Sequence, residues 1–532
     1  MQEYAFSLDA SLVGGLAPDP LIPPGAPYAT ILRNLRVEPF AATSPEIIYN
    51  VTRNSQDWPF PKLVRDERVT LLLSRTGISA VTEGSPTWSV GTGLTMKSSF
   101  SQSTTVTLTG GTHWDFCAFE DGHWFATNGV DFCFKLSTYS ASLVGYFDTS
   151  TTPIAVGCLC RHGERLVMGA MSGGTWFTDT RFQGLLDLWR MKQRAFMHSS
   201  TVWDTKWVMW GERMGGSPDG PFFLMMCALG VFGATLFDKF EGEIRAAIEK
   251  GEMGFASMKE GGAPRQLKAM GSAVVAYGPS SVTTLNQTEG GGYVASYDKS
   301  NALRNFALSG DESEHAWIDP TGDLRHSRLG LLRFRWIFQP TVSSATWATP
   351  IMSFDPLRRE HYISNGTDTY LLNPDGKLSG PLTFLPTNVF RSDGKLVGVT
   401  QYHANSGAET IVSSGIPTGT TWAAEFQSHP TRMGHAGSKR VQVVEATFEN
   451  ITSPYSDVHG RYGAADTYAS TGATPFNREG ASYPRRSAND LKITVKGTVN
   501  AGDRYAINGI LVRYQGESRQ HRRGTDIPVA ES

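Results

Sequence analysis

Long apolar runs are missing from this chain. The longest, Pro221 to Phe232, falls far short of the ~20 residues needed to cross a bilayer, so no membrane insertion is expected. Residues 1–20 lack a charged segment followed by an apolar one, which argues against a secretory leader. Cysteine is scarce: there are five, an odd number, with no Cys-x-x-Cys pair. They read as small core residues of a protein made in a reducing compartment, and Cys158 and Cys160 would share one face of a strand. Neither sign of charge dominates. The formal net charge is −2, which gives no global reason to expect nucleic acid or membrane as a partner. The twelve histidines never form His-x-His or His-x-x-x-His, so no metal site is indicated. Gly290-Gly291-Gly292 lacks the Lys-Ser/Thr of a phosphate-binding loop, and no cofactor is expected.

What is present points to β-structure. At 532 residues the chain is too long for one core, so two or three domains are expected. Hydrophobic residues make up 40% and charged residues 18%, a globular balance, and 56 Gly with 28 Pro imply many turns. Residues 114–136, WDFCAFEDGHWFATNGVDFCFKL, are the most informative stretch. Asp121-Gly122 and Asn128-Gly129 separate short strand-like runs, and tight hairpin turns need the positive φ that these pairs tolerate. Phe116, Cys117, Ala118 and Phe119 are apolar on both faces, which predicts a strand covered on both sides. A meander of short strands covered on both faces is the pattern of one β-propeller blade.

Similar units recur. Hairpins are predicted around Arg75-Thr76-Gly77, His162-Gly163, Gly278-Pro279, Asn365-Gly366 and Asp393-Gly394, mostly about 30–50 residues apart, near the length of a four-stranded blade. No Trp-Asp signature repeats. Residues 1–66 are Pro-rich and read as an extended arm that packs over something else. Residues 67–425 read as a β-propeller-like domain with helical segments near 180–197 and 232–250, the second carried by Phe232, Leu236, Phe240, Ile244 and Ile248 at helical spacing. Residues 426–532 read as an antiparallel β-sandwich, with strands over 439–449, 491–499 and 504–514 and a turn or bulge at Asn508-Gly509. Between them, 452–490 shows no period and reads as an exposed excursion that orders against a neighbouring chain. The expected fold class is therefore mainly β.

No catalytic constellation stands out. Asp115, Glu120, Asp121 and Asp131 lie close in sequence, and propeller glycosidases use paired carboxylates, but strand-end and turn roles account for these four equally well. Arg325, Arg328, Arg333 and Arg335 form one basic cluster, with Arg333 and Arg335 on one face of a strand. Arg519, Arg522 and Arg523 form another. Such clusters either touch DNA phosphate or another subunit, or are plain solvated faces.

The closing strands LKITVKGTVNAGDRYAINGILVRY resemble those of the nozzle or hub proteins at the distal end of short-tailed bacteriophage tails. HWFATNG, GFASMKEGGAPRQLKAMGSAVVAYGPSSVTTL, EHAWIDPTGDL and EHYISNGTDTYLL are similar in style to the blades of such proteins. The resemblance spans residues 100–515 and rests on element order and strand style. It implies a structural virion protein, made in the host cytoplasm and placed in the virion tail. There it would form a homo-oligomeric ring, usually sixfold, around the DNA channel, retaining the genome and letting it pass at ejection. Its partners would be itself, adaptor and portal-side tail proteins, tail fibres or spikes, and transiently the DNA. The competing expectation is a propeller glycosidase or lyase, or a carbohydrate-binding protein, acting on a host surface polysaccharide.

Overall fold

A computed structural model describes residues 3–17, 26–38, 41–44, 265–287, 293–299, 301–339, 347–365, 368–383, 421–433, 437–463, 467–500 and 503–516, together with the strands between 48 and 412 whose ranges follow. The chain is mainly β, in several antiparallel sheets. Five four-stranded antiparallel meanders follow one another along the chain, four of them separate sheets and the fifth one end of a larger sheet. Their strands are Asp115–Ala118, Trp124–Thr127, Cys133–Leu136 and Ala141–Val144; then Val156–His162, Arg165–Ala170, Leu185–Arg190 and Met253–Ala256; then Gln266–Met270, Ala273–Tyr277, Val282–Gln287 and Tyr293–Asp298. Leu308–Gly310, His315–Ile318, Leu324–His326 and Gly330–Leu332 follow, and after them Ile351–Asp355, Glu360–Ser364, Thr369–Leu372 and Leu378–Leu382. A three-stranded meander over Lys62–Asp66, Val69–Leu73 and Ile78–Val81 precedes them.

The turn chemistry explains the hairpins. Gly271, at φ +59°, lets Met270 pair with Ala273 across a two-residue loop, where a side chain would be strained. The hairpins expected at residues 74–77, 163–164, 278–281, 365–368 and 393–394 all join antiparallel pairs. The second strands Ala273–Tyr277, His315–Ile318 and Glu360–Ser364 are buried at every position, so these sheets are covered on both faces. Side chains of Phe116 to Phe119 lie outside the described residues. First strands pack on first strands: 115–118 on 156–162, 156–162 on 266–270, 308–310 on 351–355, 351–355 on 386–392, and 386–392 on 62–66.

The N-terminal segment is not an arm laid over the surface. Ile48–Arg53 inserts into a sheet with Pro386–Ser392, Lys395–Thr400 and Ile411–Val412, parallel to Lys395–Thr400. Glu3–Ser7 and Ala41–Thr43 pair with the long strand Ala506–Gly516. Ala29–Arg33 bridges Leu378–Leu382 and Thr421–Ser428, so the 351–382 meander continues into a ten-stranded sheet with Asp490–Asn500 and Thr452–Arg461. A second, seven-stranded sheet is built on Ala506–Gly516 and Lys439–Glu449. Leu8, Leu12, Leu32, Val37 and Ala42 join Val441, Val444, Ile493, Val495, Ile507 and Val512 in one core. Each fully buried Leu contributes roughly 1.5–3 kcal/mol. A domain boundary at residue 425 is therefore wrong, because it falls inside Thr421–Ser428 and because the unit includes residues from the N terminus.

Two further expectations are corrected. Within 180–197 the chain forms a strand, Leu185–Arg190, because Arg165–Ala170 and Met253–Ala256 both offer it a ladder, and pairing on two sides overrides a helical pattern. The segment 232–250 lies outside the described residues. The span 452–490 is not an excursion: Thr452–Arg461 pairs with Asp490–Asn500, and Ala469–Ser470, Thr474–Pro475, Ala481–Ser482 and Ser487–Ala488 pair with strands of their own chain. Its period is real but is carried by Ser456, Val458 and Gly460, two of which no hydrophobic pattern counts. A Cβ on Gly460 would lie 2.6 Å from that of Ala488. The expected bulge at Asn508-Gly509 is present, with Gly509 at φ +58° and the register shifting opposite Glu445 to Thr447.

Candidate functional site

A largely buried polar cluster lies where the 266–298, 308–332 and 351–382 meanders meet. His315 heads a buried strand; its Nδ1 is 2.7 Å from the Tyr277 hydroxyl and its Nε2 3.0 Å from the Ala269 carbonyl oxygen. His361, in the next meander, has Nδ1 2.8 Å from the Ser309 hydroxyl, and its buried Nε2 has no hydrogen-bond partner. The His326 and His361 rings meet edge to face with centroids 5.4 Å apart. Glu314, buried beside them, accepts from Arg359 Nε at 3.1 Å and also from Arg359 Nη2, while Arg328 Nη1 donates at 3.4 Å. Arg359 holds this position at φ +56°, a conformation that costs a non-glycine residue on the order of 1 kcal/mol. From the N-terminal segment, Arg36 Nε donates to the buried Glu360 at 2.6 Å.

Burial sets the protonation of the cluster. It pushes His315 down to about 4, with Lys268 adding to the effect, and His361 down to about 3, with His326 adding to it. His326 is lowered by burial against the pull of Glu314. All three imidazoles are neutral at pH 7. Burial raises Glu360 to about 7 against the opposing charges of Arg36 and Arg358.

Glu314, His326 and His361 bring one ligand atom each within 4.8 Å of one another, a grouping that sequence spacing did not show because a turn and two separate strands contribute it. Two features disfavour a cation there. Glu314 is already neutralised by two guanidinium groups. His326 Nδ1 accepts the backbone N–H groups of Arg328 and Leu329, at 3.1 and 3.4 Å, so in the neutral ring the proton sits on Nε2, the nitrogen that faces Glu314 at 3.9 Å. The cluster is better explained as a polar seam joining adjacent sheets.

The sequence-expected basic residues lie elsewhere. Arg333 and Arg335 do not share a strand face, because the strand Gly330–Leu332 ends before them and Arg335 begins a one-turn helix, Arg335–Phe338. That turn forms because Phe338 is buried edge-on against Trp347, centroids 4.9 Å apart, while Arg304 donates to the Phe338 carbonyl. Both arginines are exposed, as are Leu329, Leu331, Trp336 and, most of all, Leu357 at 68%. Gly330–Leu332 is the outermost strand of its sheet, so this basic and apolar surface also carries an open edge. Arg519, Arg522 and Arg523 lie outside the described residues, as do Glu120, Asp121 and Asp131 and the side chain of Asp115. Cys158 and Cys160 are buried thiols on alternate positions of one strand, as their spacing implies. No helix among the described residues is long and apolar enough to cross a membrane.

No family model matches the chain, and no curated protein matches it. Similar solved structures include a quinonprotein alcohol dehydrogenase-like protein from Bacteroides thetaiotaomicron, with TM-score 0.32 and 6% identity over 61% of this chain and 65% of that one. The computationally designed Ika8 protein gives a TM-score of 0.33 and 9% identity over 69% of this chain and 99% of its own. The extracellular domain of a B. thetaiotaomicron protein described as a one component system gives 0.25 and 9% over 82% and 47%. Likenesses this low carry neither a fold nor an activity over to this chain.

Proposed function

We propose that the chain is a structural protein of a short-tailed bacteriophage tail, of the nozzle or hub kind, which forms a homo-oligomeric ring around the DNA channel. The observation that carries this reading is the order of the sheets: small, mostly antiparallel sheets follow one another along the chain, first strand packed on first strand at most junctions, and Ile48–Arg53 enters the last of them. On this reading they are the blades of a β-propeller closed by its N-terminal strand, and the two long sheets are a β-sandwich fused to one blade through Ala29–Arg33. A closed propeller braced by a sandwich is a rigid wedge, and wedges repeated about an axis leave a lumen. A cyclic ring needs one face of the wedge to match another, and the exposed edge at 329–336 with its arginines is the subunit-contacting surface this reading assigns. The histidine cluster joins adjacent sheets through most of its polar atoms, which suits a scaffold.

Assembly tests the reading. Tail complexes lacking this protein should take up the purified chain in a fixed multiple of its 58.0 kDa mass, measured by light scattering, and Trp336→Ala combined with Arg335→Glu should reduce that uptake more than tenfold. Cleavage of a host surface polysaccharide by the purified chain, with no uptake into tails, would overturn it.

A further inference from the structure

The outer face of the ten-stranded sheet carries a second charged cluster, far in sequence from the histidine seam. Arg461 and Asp490 are opposite one another on neighbouring strands, and so are His459 and Lys492, which places all four on one face. Asp490 is nearly buried, and its two oxygens are taken by different guanidinium groups: Arg432 Nε at 2.9 Å and Arg461 Nε at 3.2 Å. Beneath it, the fully buried Lys439 donates through Nζ to the Gly437 and Asn489 carbonyls and to no carboxylate that the structure describes. Above it lies the Tyr468 ring, with Arg461 at 4.8 Å and the Lys492 ammonium at 4.5 Å from its centroid. The Tyr468 hydroxyl is shielded from solvent and has no hydrogen-bond partner. Asp457, two residues along the same face, is already engaged by His459, Ser470 and Thr471.

Among the described residues the cations of this face outnumber the carboxylates. Arg432, Lys439, Arg461 and Lys492 face Asp490, with Asp457 at the margin. The cations also repel one another: Arg432 lowers the proton affinity of Lys439, and Arg461 that of Lys492, each adding to the effect of burial. Lys492 is steadied by an aromatic ring rather than by a counter-ion, an arrangement that keeps an ammonium poised but leaves its charge available. The Lys492 ammonium over the ring and the Arg432 guanidinium on Asp490 offer several donors to an anion with several oxygens.

We propose that this face binds a phosphate-class oxyanion, held between Lys492 and Arg432 beside the Tyr468 ring. The site is independent of the tail-ring reading, since it rests on the C-terminal sheet alone. An oxyanion here offsets the positive charge of the described residues and takes the Lys492 ammonium as one donor and the Arg432 guanidinium as another. The same chemistry is presented by a free phosphate monoester and by the phosphodiesters of a nucleic acid.

The test is calorimetric titration of the full chain with inorganic phosphate, with sodium chloride adjusted to keep ionic strength constant, and a parallel titration with a short oligothymidylate. The wild-type chain should bind phosphate saturably, and its melting temperature should rise with phosphate concentration. Lys492→Gln and Arg432→Gln, both at positions open to solvent, should each weaken phosphate at least tenfold while keeping wild-type circular dichroism. Tighter binding of the oligonucleotide than of inorganic phosphate would assign the site to phosphodiesters, and the reverse order to monoesters; either supports the proposal. Absence of phosphate binding by the wild-type chain would overturn it, and so would equal affinity in all three proteins or an equal shift with chloride alone.

Discussion

The histidine seam and the C-terminal core solve the same problem in opposite ways. Between the meanders of 266–382, adjacent sheets are joined through buried polar groups: Tyr277 to His315, Ser309 to His361, Arg359 to Glu314. In the C-terminal sheets the main core cluster is apolar, built largely from aliphatic side chains such as Val441, Val444, Ile493, Val495, Ile507 and Val512 with Leu8, Leu12 and Leu32 from the N terminus. Apolar contacts are indifferent to pH and lose stability in proportion to the area removed. Hydrogen-bonded pairs fix the relative placement of two sheets, but they depend on every partner being present and in one protonation state. The protein therefore has one region that resists change gradually and another that fails at single residues.

The seam can be broken at its charged centre. Glu314→Gln removes the buried carboxylate that Arg359 and Arg328 share and should cost about 2 kcal/mol, read as a lowered denaturant midpoint, because charge-assisted hydrogen bonds are lost while both guanidinium groups keep access to water. Arg328→Gln, by contrast, alters a guanidinium more than half exposed and should cost well under 1 kcal/mol. In the aliphatic core, Leu12→Ala should cost roughly 2–4 kcal/mol and should loosen the C-terminal sheets although it lies hundreds of residues from them in sequence. A destabilisation confined to the first 44 residues would break the comparison.

Acid should separate the two regions. His315 and His361 have folded-state values near 4 and 3, below the ordinary 6.5, so they are neutral when folded and take up protons on unfolding. The unfolded state then binds more protons between pH 6.5 and about 3. Stability contributed by the seam is complete above pH 6.5 and is lost as pH falls through that window. Glu360 works the other way: its value is raised to about 7 from 4.5, so its contribution is complete below 4.5 and fades as pH rises toward 7. Lys439, lowered to about 8, makes the C-terminal unit more stable as pH rises from 8 toward 10.5. Hydrogen exchange at pH 5 should show lost protection over 308–332 and 351–382 before 439–449 and 506–514. His361→Leu should shrink that difference by removing one of the two groups. The smallest effect expected is at the exposed Arg513–Glu445 pair, where Arg513→Gln should leave the melting temperature unchanged.

The two regions also differ in how far the sequence reveals them. Hairpins with Asn-Gly or Asp-Gly turns were readable because the signal is local: the turn residues and the alternation lie within a dozen positions. The bulge at Gly509 was readable for the same reason. The insertion of Ala29–Arg33 between Leu378–Leu382 and Thr421–Ser428 was not, since nothing in five residues names partners some 350 and 400 positions away. The strand Thr452–Arg461 was hidden because Ser456 and Gly460 carry its buried face. Leu185–Arg190 misled because its leucines fit a helical face as well as a ladder with partners on both sides. The histidine seam escaped for a related reason. His315, His326 and His361 are unremarkable singly, and only the stacking of one meander on the next brings them together.

The most direct measurement of the functional account is the position of this protein in a virion. Gold-labelled antibody against residues 439–514 should decorate the distal tip of the tail in negative-stain images, on the tail axis. Label confined to lateral fibres or spikes, or absent from virions altogether, would contradict a ring around the DNA channel.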